Sequence, residues 1–171
     1  MRKIMGLSMS LPLISLLFLS ACAPTEDEAL ELTESAARTV FEDNIIEPNN
    51  TLDNFSLYLP SDYEIIEESQ SNLLLESDDQ TFILFYNALE DTTSELNYQA
   101  AEANGNNALL QSFEDEERFA FVRVSEREDQ YELQVGVGGV KVTTQTSIRQ
   151  LEDDTIEMMQ MATSIAYTNQ E

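Results

Sequence analysis

"YELQVGVGGVKVTTQT", Tyr131 to Thr146, holds two strands and the turn between them. Tyr131, Leu133, Val135 and Val137 share one face of an extended chain. After Gly138-Gly139 the apolar positions change parity, to Val140 and Val142. Side chains alternate faces along a strand, so such a change needs a turn or an inserted residue. A two-residue turn at Gly138-Gly139 predicts Val137 opposite Val140, Val135 opposite Val142 and Leu133 opposite Thr144. Glycines supply the positive φ that a tight hairpin turn needs. A single long strand with a glycine bulge also resets parity, and the hairpin is favoured over it.

On either side, other periodicities continue the pattern. Phe119 to Val124 reads as the preceding strand. After the hairpin, Ile148, Leu151, Thr155, Met158, Ala162 and Ile165 fall on one face of a last helix, with Ser147 as its cap and Gln150 in the capping-box position. Upstream, Leu73-Leu74-Leu75 and Thr81 to Tyr86 flank Ser77-Asp78-Asp79-Gln80, a second hairpin pattern. Phe55 to Pro60 alternates as a strand, and Tyr63 to Ile66 continues as another. Leu96 to Phe113 is predicted helical, with a break near Asn104-Gly105. Glu28 to Ile46 carries Ala29, Leu32, Ala36 and Val40 at helical spacing and stops before Pro48. Runs of strands separated by helices predict an α+β fold with a mainly antiparallel sheet.

The chain begins differently. Arg2 and Lys3 precede an apolar, uncharged run from Ile4 to Phe18, and small residues follow at Ser20 and Ala21. These are the parts of a secretory signal, and the run falls short of the ~20 residues of a membrane span. Leu19-Ser20-Ala21-Cys22 resembles the lipobox of bacterial lipoproteins. That resemblance implies a diacylglyceryl group on the Cys22 sulfur and cleavage that leaves Cys22 as the first mature residue. No second cysteine exists to pair with it, so the domain needs no disulfide to fold. The expected organisation is a lipoprotein signal peptide over residues 1–21, a tether over 22–27 and a single α+β domain over 28–171.

All 33 acidic residues follow Cys22, whereas Arg2 and Lys3 are two of the eight basic ones. The mature chain is therefore more acidic even than the net −25 of the whole. Such a surface repels nucleic acid phosphates and anionic lipid headgroups. It suits solubility outside the cell, or a cationic ligand. With no histidine, Ser-His-Asp and Cys-His catalysis are excluded, and zinc loses its usual ligands. A Ser-Lys pair would have to use Lys141, predicted on an outward strand face. The Gly136 to Lys141 stretch lacks the phosphate-loop spacing and context. Asp78-Asp79, Glu114 to Glu117 and Asp153-Asp154 are candidate calcium clusters without the EF-hand pattern. Met158, Met159 and Met161 fit a buried helix face better than a binding stripe.

"FSLYLPSDYEI", Phe55 to Ile65, resembles the start of PsbP-like domains, with a strand, an apolar-Pro pair and a tight turn into the next strand. "MMQMATSI", Met158 to Ile165, resembles their closing helix. The only aromatic residue soon after the proline is Tyr63, where that family often carries tryptophan. The resemblance implies an antiparallel sheet packed by helices, and accessory, assembly or binding roles.

Together these features predict a lipid-anchored protein on the extracytoplasmic face of a cell membrane. It is expected to be a non-enzymatic interaction or accessory module of the cell envelope, without cofactor, metal or nucleic acid. Its expected partners are the membrane, through Cys22, and an envelope protein. The alternatives are an extracytoplasmic binder of a divalent cation or small cationic ligand, and a carboxylate-dependent hydrolase.

Overall fold

A computed structural model describes residues 24–43 and 45–167. In chain order the elements are α1 (Glu26–Glu42), β1 (Asn50–Thr51), β2 (Phe55–Leu57), β3 (Glu64–Glu68), β4 (Asn72–Ser77), β5 (Gln80–Tyr86), α2 (Leu96–Asn104), β6 (Leu109–Glu114), β7 (Phe119–Arg127), β8 (Gln130–Val137), β9 (Val140–Thr146), α3 (Leu151–Thr163) and β10 (Ala166–Tyr167). Seven strands form one sheet in the order β3-β4-β5-β9-β8-β7-β6, every pair antiparallel. Two meanders, β3 to β5 and β6 to β9, are thus joined where β9 pairs with β5. A small second sheet has the order β1-β2-β10. The fold is α+β, as the sequence predicts.

The Gly138-Gly139 hairpin has the predicted register: Val137 opposite Val140, Val135 opposite Val142, Leu133 opposite Thr144. These positions are buried on the inner face with Leu75, Leu84, Val122 and Val124. α1 and α3 pack together over that face. Met158, Met159 and Met161 are fully buried there, so the methionines are core. Over β5 the core is closed by the segment around β2: the Phe55 and Tyr86 rings lie 4.2 Å apart, and Tyr63 and Phe82 4.8 Å. Such aromatic pairs add specific attraction to the area they bury.

Outside the sheet, α2 lies over β7, where Tyr98 meets Phe119 and Phe121 edge-on. Arg123 lies on this outer face, 2% exposed. It donates to Glu132 at 2.8 Å, to Asn107 at 2.6 Å and to the Gly105 carbonyl at 3.3 Å, fastening the loop after α2 to the sheet. A buried guanidinium is tolerated when its charge and donors are met in this way. At one edge, β3 exposes Glu64, Glu67 and Glu68 and carries a register shift between Ile65 and Glu67. Charge and irregularity there oppose edge-to-edge pairing with another chain.

Four local expectations change. α1 begins at Glu26, because Thr25 and Glu28 close a capping box, and it ends at Glu42 before the Pro48 region. Its buried stripe is Ala29, Thr33, Ala36, Ala37 and Phe41, while Leu32 is 43% exposed. Small residues bring α1 close to its neighbours, and Thr33 meets its own hydroxyl by donating to the Ala29 carbonyl at 2.7 Å. The predicted helix over 96–113 stops at Asn104, where Gly105 and Asn106 take positive φ, and Leu109 to Glu114 form edge strand β6. Ser147 does not cap α3: the cap is Gln150, and Ser147 Oγ donates to Gln150 Oε1 at 2.9 Å in the turn before it.

Candidate functional site

The Gly138-Gly139 turn is packed rather than solvated. Gly138 has φ +52°, and an added Cβ would stand 2.5 Å from the Asp91 carbonyl oxygen. Gly139 does not take positive φ; it is needed for space, since its Cβ would lie 2.6 Å from the Asn87 oxygen and 2.7 Å from Glu90 Cβ. The two glycines therefore act by different means, one through its conformation and both through close approach. Hydrogen bonds clamp the contact. The Asn87 N–H donates to the Gly139 carbonyl at 3.0 Å, Asn97 Nδ2 to the Gly138 carbonyl at 3.0 Å, and the Phe119 N–H to the Thr92 carbonyl at 2.9 Å.

Beside this turn is a pocket of about 200 Å³. Val137, Val140, Ala162 and Ile165 give it an apolar wall. Glu90, Glu117 and Arg118 also line it. Arg118 is held on several sides. Its Nε and Nη2 donate to Asp115 Oδ2 at 3.1 and 2.7 Å, and Nη2 also donates to the Phe41 carbonyl at 3.0 Å. The guanidinium carbon lies 4.5 Å from the centre of the Phe41 ring, a cation–π contact. Asp115 also accepts the backbone N–H groups of Glu117 and Arg118, and these bonds, led by the Arg118 side chain, hold its carboxyl below the usual range. Nη1 is buried and has no partner among the described residues. An unmet buried donor costs about 1–3 kcal/mol, more when charged.

The opposite end of the sheet is built from acids and amides. Asp154, 7% exposed, accepts from Gln80 Nε2 at 2.9 Å, and that nitrogen also reaches Thr144 Oγ1 at 3.0 Å. Tyr63 donates to Glu157 at 2.8 Å, and Ser77 to Asp62 at 3.0 Å. Burial pushes the Asp154 carboxyl up, against hydrogen bonds from Thr146 and Gln80. Burial also raises Glu157, and the nearby Asp62, Asp154 and Asp153 charges add to it. Burial and Glu157 together push the Tyr63 hydroxyl upward. Around the hairpin turn of Asp78-Asp79 the outer face opens into a groove of about 490 Å³. Its floor is mostly neutral hydrogen-bonding side chains, such as Thr81, Thr143, Gln130 and Gln145, with Ile83 among them.

The three acidic stretches have separate local roles. Asp78 and Asp79 form a two-residue turn with positive φ at both. Asp115 organises the turn that carries Arg118, and Asp154 is buried against Gln80. Among the described residues, no group of three or more acidic side chains is arranged to hold a metal ion. Lys141 lies on the outer face, in register with Gly136 and Phe85. Cys22 and its lipobox lie outside the described residues. No described helix is long and apolar enough to cross a membrane. The sequence reading did not single out Arg118 or Arg123. Arg123 had a signal, a charge inside the apolar run FAFVRV, whereas Arg118 had none.

The chain matches no protein-family model, no curated protein and no solved structure.

Proposed function

We propose that this protein is a lipid-anchored module on the extracytoplasmic face of a membrane, acting by interaction rather than catalysis in the cell envelope. Leu19-Ser20-Ala21-Cys22 carries the reading. The position of α1 supports it: Thr25 caps a helix only three residues after Cys22, so a lipid on that cysteine would hold the domain close to the bilayer. The acidity of the domain opposes its lying flat on anionic headgroups. The PsbP-like resemblance of residues 55–65 and 158–165 suits an accessory role, and belongs to the same proposal.

Cross-linking of the full chain in intact membranes, followed by purification at several salt concentrations, tests the interaction role. Reproducible recovery of one envelope protein, lost when the domain but not the signal is exchanged, is the expected outcome. Recovery of no specific partner at any salt concentration would count against it.

A further inference from the structure

We infer that the bare part of the sheet's outer face, over β4, β5 and β9, docks an amphipathic helix of a partner protein, one with an apolar stripe and basic residues along one side of it. The inference names a surface for the interaction role and rests on that role, but not on the lipid anchor. Strand alternation makes the surface. On these three strands every second side chain is buried in the core, and the others point outward. Register sets Leu74 beside Ile83 and Ile83 beside Thr143; in the next row Phe85 stands beside Lys141. Ile83 is 48% exposed, and Leu74 and Phe85 are half-buried. An apolar side chain alone on a surface is ordinary, whereas a contiguous group marks a place for a partner.

A helix fits the space. α1 and α3 pack on the inner face, and α2 lies over β7 on the outer one. Three strands ~4.8 Å apart give a bed ~10 Å across, close to the width of a helix with its side chains. α2 shows how a helix seats on this face, with Tyr98 set edge-on against Phe119 and Phe121. Charge selects the kind of helix. Glu64 and Glu67 of β3 are the register partners of Glu76 and Leu74, so Glu64, Glu67 and Glu76 border the apolar group on that side. All three are exposed, and none forms an ion pair among the described residues. Lys141, the single lysine after Cys22, stands on the opposite side and is likewise unpaired among them. The acidic border favours Lys or Arg beside the partner's apolar stripe, and the difference between the two sides fixes which way round the helix lies. A second copy of this chain is a poor occupant, because each copy carries the same large negative charge.

A photo-reactive p-benzoylphenylalanine at position 83 of the full chain, irradiated in intact membranes of the cells that make it, tests this. The same group at position 32, where Leu32 is exposed on α1, gives the comparison. Position 83 should join to one protein, in a segment with apolar residues at i, i+3, i+4 and i+7 and Lys or Arg beside them. With the group moved to position 143, Ile83→Ser should lower the yield of that product at least ~5-fold. Glu67→Gln combined with Glu76→Gln changes only exposed side chains and should lower it several-fold. Products from position 32 but none from 83 would overturn this surface and leave an interaction role standing, whereas no product from either position would overturn both. A product between two copies of this chain, or a joined segment without basic residues, also overturns the inference.

Discussion

The Phe121 ring lies directly over Gly136, its register partner on the neighbouring strand; a Cβ at 136 would stand 2.2 Å from Phe121 Cε1. Phe121 is 2% exposed and has Tyr98 on it, so the ring has little room to withdraw. Gly136→Ala should therefore destabilise the domain by about 1–3 kcal/mol, the usual cost of overpacking. Urea unfolding measures it. Adding Phe121→Leu should recover part of the loss, because the two substitutions share one space. Independent, additive losses would contradict the contact.

Gly139→Ala should destabilise although the glycine does not use positive φ, because the Asn87 oxygen and Glu90 Cβ occupy the space. A loss of about 1–3 kcal/mol is expected for this backbone-limited clash. Gly138→Ala faces both a backbone clash and an unfavourable φ, and should cost more. Equal stability of Gly139→Ala and the wild type in urea would show that the turn does not rest on the 87–92 loop.

The Asp78-Asp79 turn holds two non-glycine residues at φ +47° and +65°. Asn-Gly is the favoured pair for a turn with positive φ at both central positions. Asp78→Asn with Asp79→Gly should stabilise the domain by about 1 kcal/mol, by relieving strain and adjacent like charge. A lowered urea midpoint for the double variant would show that these carboxylates make a contact that the turn depends on.

Asp154 and Glu157 have carboxyl pKa values raised in the folded protein. A raised carboxyl favours the folded state when protonated. Its contribution is present in full below the ordinary carboxylate range and is lost as pH rises through the raised value. Asp154→Asn, which keeps an oxygen to accept from Gln80, should therefore gain stability relative to wild type as pH rises above the ordinary carboxylate range. Urea midpoints of the two proteins as pH is raised check the sign. A gap that narrows with rising pH would mean that the Gln80 and Thr146 hydrogen bonds outweigh the burial.

How far each element was legible follows from where its determinants lie. The β8–β9 hairpin is written locally, in alternation and a glycine pair, and its register is as expected. β6 is not: Leu109, Leu110 and Phe113 fit a helical spacing as readily as a strand, and only pairing with β7 decides between them. The α1 face was misplaced because Thr33 and Ala37 are buried where Leu32 is exposed, a choice made by the closeness of α3. The Arg118 pocket has no signature of its own, since its walls come from distant segments. Cys22, in contrast, is marked by its neighbours alone.

The most direct test of the central claim is the intact mass of the full chain, expressed with its own first 22 residues in a bacterial host and extracted from the membrane fraction. The account predicts a chain that begins at Cys22 and carries a diacylglyceryl group, and Cys22→Ser should abolish both the added lipid and the cleavage. A chain that is uncleaved, or cleaved at another residue without added lipid, would contradict it.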